Sequence, residues 1–133
     1  MKIFVTAAAL ATCALLLPMN SARADDLYDK CVNAASDNAS WSQCGSDYVK
    51  REDAKLNAAW KQVYGRTNGQ TKTDLLAEQR AWIAFREAAC KFYANGDFGR
   101  EGQVLSYPAC VARVISDRTN ALVELGKEFS QGR

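Results

Sequence analysis

The chain reads as an all-α domain, a small antiparallel bundle of about four helices stapled by two disulfides, and three observations carry that reading. Apolar residues recur at the 3.6-residue spacing of packed helices, strand-like alternation is absent, and glycine-containing breaks separate the periodic stretches. Of the five cysteines, four follow an amino-terminal leader.

The leader comes first. Lys2 precedes an apolar stretch from Ile3 to Leu17, Pro18 follows, and Ala22-Arg23-Ala24 forms the small-x-small pattern of a signal-peptidase site. Residues 1–24 therefore read as a secretory signal peptide and residues 25–133 as a single mature domain, periplasmic or secreted after cleavage near Ala24. The apolar stretch falls short of the roughly 20 residues that span a bilayer, and no later segment is longer or as apolar, so membrane insertion is not expected. Leu10-Ala11-Thr12-Cys13 loosely resembles a lipobox. Thr12 is a poor residue before such a cleavage point, however, and more apolar residues follow, so Cys13 is expected to leave with the leader.

The first helix is expected within Asp25–Ser36, where Leu27, Cys31 and Ala34 or Ala35 keep helical spacing. Asn38 and Ser40 form a capping region before Trp41, and a second, long helix runs to about Tyr64 with Tyr48, Leu56, Ala59, Trp60 and Val63 on its apolar side. Gly65-Arg66-Thr67-Asn68-Gly69 breaks it. A third helix starts near Thr71 or Thr73, either of which can cap it, and carries Leu75, Leu76, Trp82, Ile83, Ala89, Cys90 and Tyr93. Asn95 to Gly102 holds three glycines and reads as an exposed loop. A fourth helix from Val104 or Pro108 to Phe129 is expected to bury Cys110, Val111, Val114, Ile115, Ala121, Leu122 and Leu125. Short turns make successive helices antiparallel, with the first folded back on the other three.

Cys31, Cys44, Cys90 and Cys110 form an even set in an exported domain, which reads as disulfides. Local geometry favours Cys31 with Cys44 and Cys90 with Cys110, each joining the two sides of one turn, among the pairings open to four cysteines. Closing a loop of about 15 residues is worth roughly 3 kcal/mol in the chain-entropy model. A zinc site is the rival, but the spacing is not paired CxxC and the chain has no His. No metal and no cofactor are expected.

Composition then narrows the function. The 17 basic and 15 acidic residues come to balance once Lys2 and Arg23 leave with the leader. Nucleic-acid binders rely on a basic excess to neutralise phosphates, so no nucleic-acid partner is expected. Without His, the Ser-His, Cys-His and His-metal routes to catalysis are closed. Glu78, Glu87, Asp97 or Glu101 could supply a pair of carboxylates of the glycosidase kind, but acidic residues on a helix are mostly solvated charges. No catalytic residue is assigned.

Gln79 and Arg86 share the apolar stripe of the third helix with Trp82, Ile83 and Cys90, and Arg118 repeats this placement between Val114 and Leu122 on the fourth. These three, with Asn57, read as a buried polar network that fixes helix register in preference to a ligand site. A carboxylate or carbonyl is expected at each Arg, because an unpartnered buried guanidinium costs several kcal/mol. Trp41, Phe98 and Tyr107 are aromatic anchors for a partner or lids on the core. Asp97, Phe98 and Arg100, in a glycine loop pinned by a disulfide, form the candidate partner-binding set.

These residues carry a resemblance. Cys31 and Cys44, Leu56-Asn57 with Trp60 and Tyr64, Gln79-Arg80-Ala81-Trp82 leading into Phe85-Arg86 and Cys90, and then Cys110, Arg118 and Leu122 resemble the lysozyme inhibitor LprI amino-terminal domain family over nearly the whole mature chain. Ile115 departs from the pattern, since members often carry Thr there. The resemblance implies an exported bacterial protein and, from the family's namesake, a non-catalytic module that binds lysozyme and blocks it by protein contact. The alternative is a non-catalytic structural or adaptor protein of the envelope with another partner.

Overall fold

The computed structural model describes residues 25–132. The leader, its cleavage motif and Cys13 lie outside these residues. Among those described there are no strands, and four helices of at least two turns form the frame: α1 (Asp26–Ala34), α2 (Asn38–Arg66), α3 (Gly69–Ala89) and α4 (Tyr107–Ser130). None is long and apolar enough to cross a membrane.

α1 doubles back along α2. Tyr28 stacks on Tyr48 with ring centroids 4.9 Å apart, and Arg51 donates to Asp25 at 2.9 Å. At the other end a disulfide joins Cys31 to Cys44, with Cα atoms 5.7 Å apart. Asp37, not Asn38, caps α2, because Asp37 has the extended backbone a cap requires while Asn38 already lies inside the helix. The Asp37 side chain accepts from Ser40 N at 2.8 Å, and Ser40 Oγ reciprocates at Asp37 N, which completes a capping box.

The break to α3 is shorter than expected, confined to Thr67 and Asn68. α3 begins at Gly69, so neither Thr71 nor Thr73 caps it, and Thr73 Oγ1 instead donates back to Gly69 O at 3.4 Å. Such back-bonding satisfies a hydroxyl within a helix rather than at its start. The expected loop also contracts: irregular backbone covers only Asn95–Phe98, between one turn at Lys91–Ala94 and another at Gly99–Glu101. A π-helical turn, Gly102–Ser106, then leads into α4.

α2 and α4 form the main packing pair, and they run parallel. Pro108 at the start of α4 lies so close to Gly45 that a Cβ there would come within 2.5 Å of the proline Cγ. Eighteen residues further along both helices, Gly126 faces Val63, and Arg66 donates to Gly126 O at 3.4 Å. The core between them is Leu56, Ala59 and Val63 against Ile115 and Leu122. Ile115 is fully buried, so an apolar side chain suits the place where a threonine was the family expectation.

α3 runs antiparallel to both and packs on them more thinly, with Gln79 as its one buried residue. Leu75 and Trp82 are half-buried, whereas Ile83 is exposed. Ala121 of α4 is also exposed, one residue round the helix from Leu122 and so outside the core-facing stripe.

Candidate functional site

Two groups of polar and aromatic residues stand apart from the core. The first joins α3 to its neighbours. Arg118, on α4, donates from Nε to Gln79 Oε1 at 2.9 Å and from Nη1 to Glu78 Oε1 at 2.8 Å, and its Nη2 also meets Glu78. Arg86 donates to Asp53 on α2 at 3.2 Å. Both guanidiniums lie over the Trp82 ring, at 5.5 Å for Arg86 and 5.9 Å for Arg118, a distance at which the ring quadrupole attracts a cation. Each Arg thus has a carboxylate and an aromatic face.

Asn57 takes no part in this group. It is exposed, since one residue beyond Leu56 is about 100° round the helix from the core. Glu52 and Thr67 are buried polar residues that the sequence reading passed over; Lys55 donates to Glu52 at 2.7 Å, and Thr67 Oγ1 donates to Tyr64 O at 3.0 Å. The spacing of Glu52 from Leu56, Ala59 and Val63 is helical, so periodicity alone placed it on the core stripe. No buried side-chain nitrogen or oxygen among the described residues lacks a hydrogen-bond partner. Below the Glu78–Arg118 pair, α3 and α4 leave a groove of about 490 Å³ floored by Leu75, Leu122, Leu125 and Phe129.

The second group sits at the end of the bundle where α3 turns into α4. A disulfide joins Cys90 to Cys110, with Cα atoms 5.9 Å apart. Tyr93 packs on Phe98 at 5.0 Å and on Phe92 at 4.2 Å, and Phe92 meets Phe98 edge-on at 6.1 Å. Phe92 and Phe98 nonetheless remain about half exposed, at 49% and 53%. Between them the Asn95 side chain accepts from Asp97 N at 2.9 Å, and Gly96 and Gly99 take positive φ angles that a side chain would disfavour.

Of the expected partner-binding residues, Phe98 and Arg100 both present themselves to solvent. Arg100 donates from Nη1 to Gln103 at 2.9 Å, and Gln103 in turn donates to Ala94 O at 3.4 Å. Asp97 is exposed as well, and its carboxylate accepts from Asn95 Nδ2 at 3.3 Å within the loop. Trp41 is half-buried and donates from its indole to Val32 O at 3.3 Å, which ties it to α1. Sequence reasoning missed Phe92. Its place beside Tyr93 and its spacing of six from Phe98 were the available signal.

The arrangement contains a stapled scaffold and an aromatic end held together by ring packing. A family model described as Lysozyme inhibitor LprI matches residues 31–122, a span that takes in the four disulfide-bonded cysteines, Arg86 and Arg118. The chain belongs to the LprI lysozyme-inhibitor family. No curated protein and no solved structure matches it. Within the LprI match lie both the Trp82 cluster and the aromatic end, while the last turns of α4 fall beyond it.

Proposed function

We propose that this protein is exported, loses residues 1–24, and binds and blocks a muramidase by protein contact without chemistry of its own. Membership of the lysozyme-inhibitor family is the observation that carries the reading. The aromatic end is the contact surface. Phe92 and Phe98 offer half-exposed rings already held by stacking and by the nearby disulfide, so little conformational entropy is lost when they dock. Arg100 retains guanidinium N–H groups beyond the one given to Gln103, and a glycosidase cleft presents carboxylates that such donors match.

Residues 25–133 titrated into chicken-type, goose-type and invertebrate-type lysozymes test this, with cell-wall lysis and direct binding read together. Stoichiometric inhibition of one type is expected. Phe98→Ala and Arg100→Ala should each weaken it about tenfold or more while the circular dichroism spectrum stays unchanged. Absence of binding to all three types would overturn the reading in favour of an adaptor role in the envelope.

A further inference from the structure

From Ala77 to Ala88 the face of α3 opposite the core is apolar where a solvent face is ordinarily charged, and Gln70 and Asp74 continue the stripe a turn earlier. Gln79, Arg86 and Cys90 point inward, and the diametrically opposed positions are Ala77, Ala81, Ala84 and Ala88, all exposed. Phe85 borders this strip at 58% exposure and has no aromatic partner among the described residues. The ring and the alanine strip together make a contiguous exposed apolar patch, the kind of surface that marks a protein contact. Along the other border lie Arg80 and Glu87, seven residues apart, both exposed, and neither in an ion pair among the described residues.

We infer that this face pairs with the same face of a second copy of the chain, the two α3 helices antiparallel across a twofold axis. The charge pattern identifies the occupant. Ala77, Ala81, Ala84 and Ala88 have alternating spacings of four and three, the pattern of a two-helix seam. When two such seams meet antiparallel, Ala77 lies against Ala88 of the second copy and Ala81 against its Ala84. The flanking positions then bring Arg80 opposite Glu87 of the second copy, and Glu87 opposite its Arg80. One face is thus complementary to itself, as a twofold interface requires. Alanine lets the helix axes approach at the close end of the packing range, about 8 Å, and Phe85 of each copy closes the other side of the seam. Arg80, Ala84 and Glu87 are not among the residues proposed to meet lysozyme, so failure of the pairing and failure of lysozyme binding are read separately.

Sedimentation equilibrium of the purified protein, with charge-swapped variants, tests the inference. A dimer is expected. Arg80→Glu alone and Glu87→Arg alone each place like charges opposite one another and should weaken association about tenfold, whereas the double swap Arg80→Glu/Glu87→Arg should restore it to within about twofold. All three positions of the test, Arg80, Ala84 and Glu87, are exposed in the monomer, and unchanged circular dichroism confirms folding. Ala84→Glu, at the centre of the seam, should abolish the dimer. A protein that stays monomeric at about 1 mM, or a dimer indifferent to the swaps and to Ala84→Glu, would overturn the inference.

Discussion

Arg118 shows how a single residue ties a thinly packed helix to the rest. Its side chain is 11% exposed, and it holds the buried Gln79, the half-exposed Glu78 and the Trp82 ring together. Arg118→Ala leaves the Gln79 carbonyl oxygen without its donor, so a loss of about 1–3 kcal/mol is expected in urea unfolding, with the slope unchanged. Arg118→Lys should recover only part of it, because an ammonium cannot reproduce the fork that spans Gln79 and Glu78. Asp25 gives a second, pH-dependent case. Burial raises its pKa, but hydrogen bonds from Arg51 and Tyr28 N, together with the Arg51 charge, outweigh that and leave it below the usual 3.8. A lowered carboxylate contributes stability that is present above about pH 3.8 and is lost as pH falls through the depressed folded value. In acid titrations followed by circular dichroism, Asp25→Asn should be less stable than the parent at pH 6, and the gap should close below pH 3.8.

At the scale of elements, α2 and α4 depend on a close approach that one glycine permits. A methyl group at Gly45 would strike the rigid Pro108 ring, whereas at Gly65 it would meet nothing within 4 Å. Both substitutions gain helix propensity, up to about 1 kcal/mol. Gly45→Ala should still be a net loss, since overpacking costs about 1–3 kcal/mol, while Gly65→Ala should be neutral or stabilising. Thermal melts of the two variants side by side separate the terms. The same contrast explains what the sequence made legible. The four helices follow from periodicity and breaks, because apolar spacing records which residues must face a core. Caps were less legible: Asp37, Asn38 and Ser40 are all competent side chains, and only the backbone angle at Asp37 decides among them. The π-helical turn at Gly102–Ser106 has no signature of composition, so Val104 and Pro108 competed as the start of α4.

For the whole molecule, turn lengths reveal which helices are antiparallel neighbours but not which pair packs hardest. The parallel α2–α4 contact joins helices separated by all of α3, and nothing local in the sequence encodes it. In the candidate site, Phe98 and Arg100 were legible as loop residues among glycines; the exposure of Phe92 was not, because an aromatic beside Tyr93 at a helix end reads equally well as core. The two disulfides give this division a functional consequence. Each closes a loop of similar size, 13 residues for Cys31–Cys44 and 20 for Cys90–Cys110, so each is worth about 3 kcal/mol in the chain-entropy model. Their stability costs should therefore be alike, but their positions differ. Both lie at the end of the bundle where Gly45 meets Pro108, but Cys31–Cys44 pins α1 to α2, whereas Cys90–Cys110 is bonded directly into the junction that carries Phe92, Tyr93 and Phe98. Replacing Cys90 and Cys110 by Ser should lower the urea midpoint about as much as replacing Cys31 and Cys44, yet weaken lysozyme inhibition far more at temperatures where both variants remain folded. Equal inhibition by the two variants would place the contact surface elsewhere on the bundle, because only the second staple orders the rings proposed to dock.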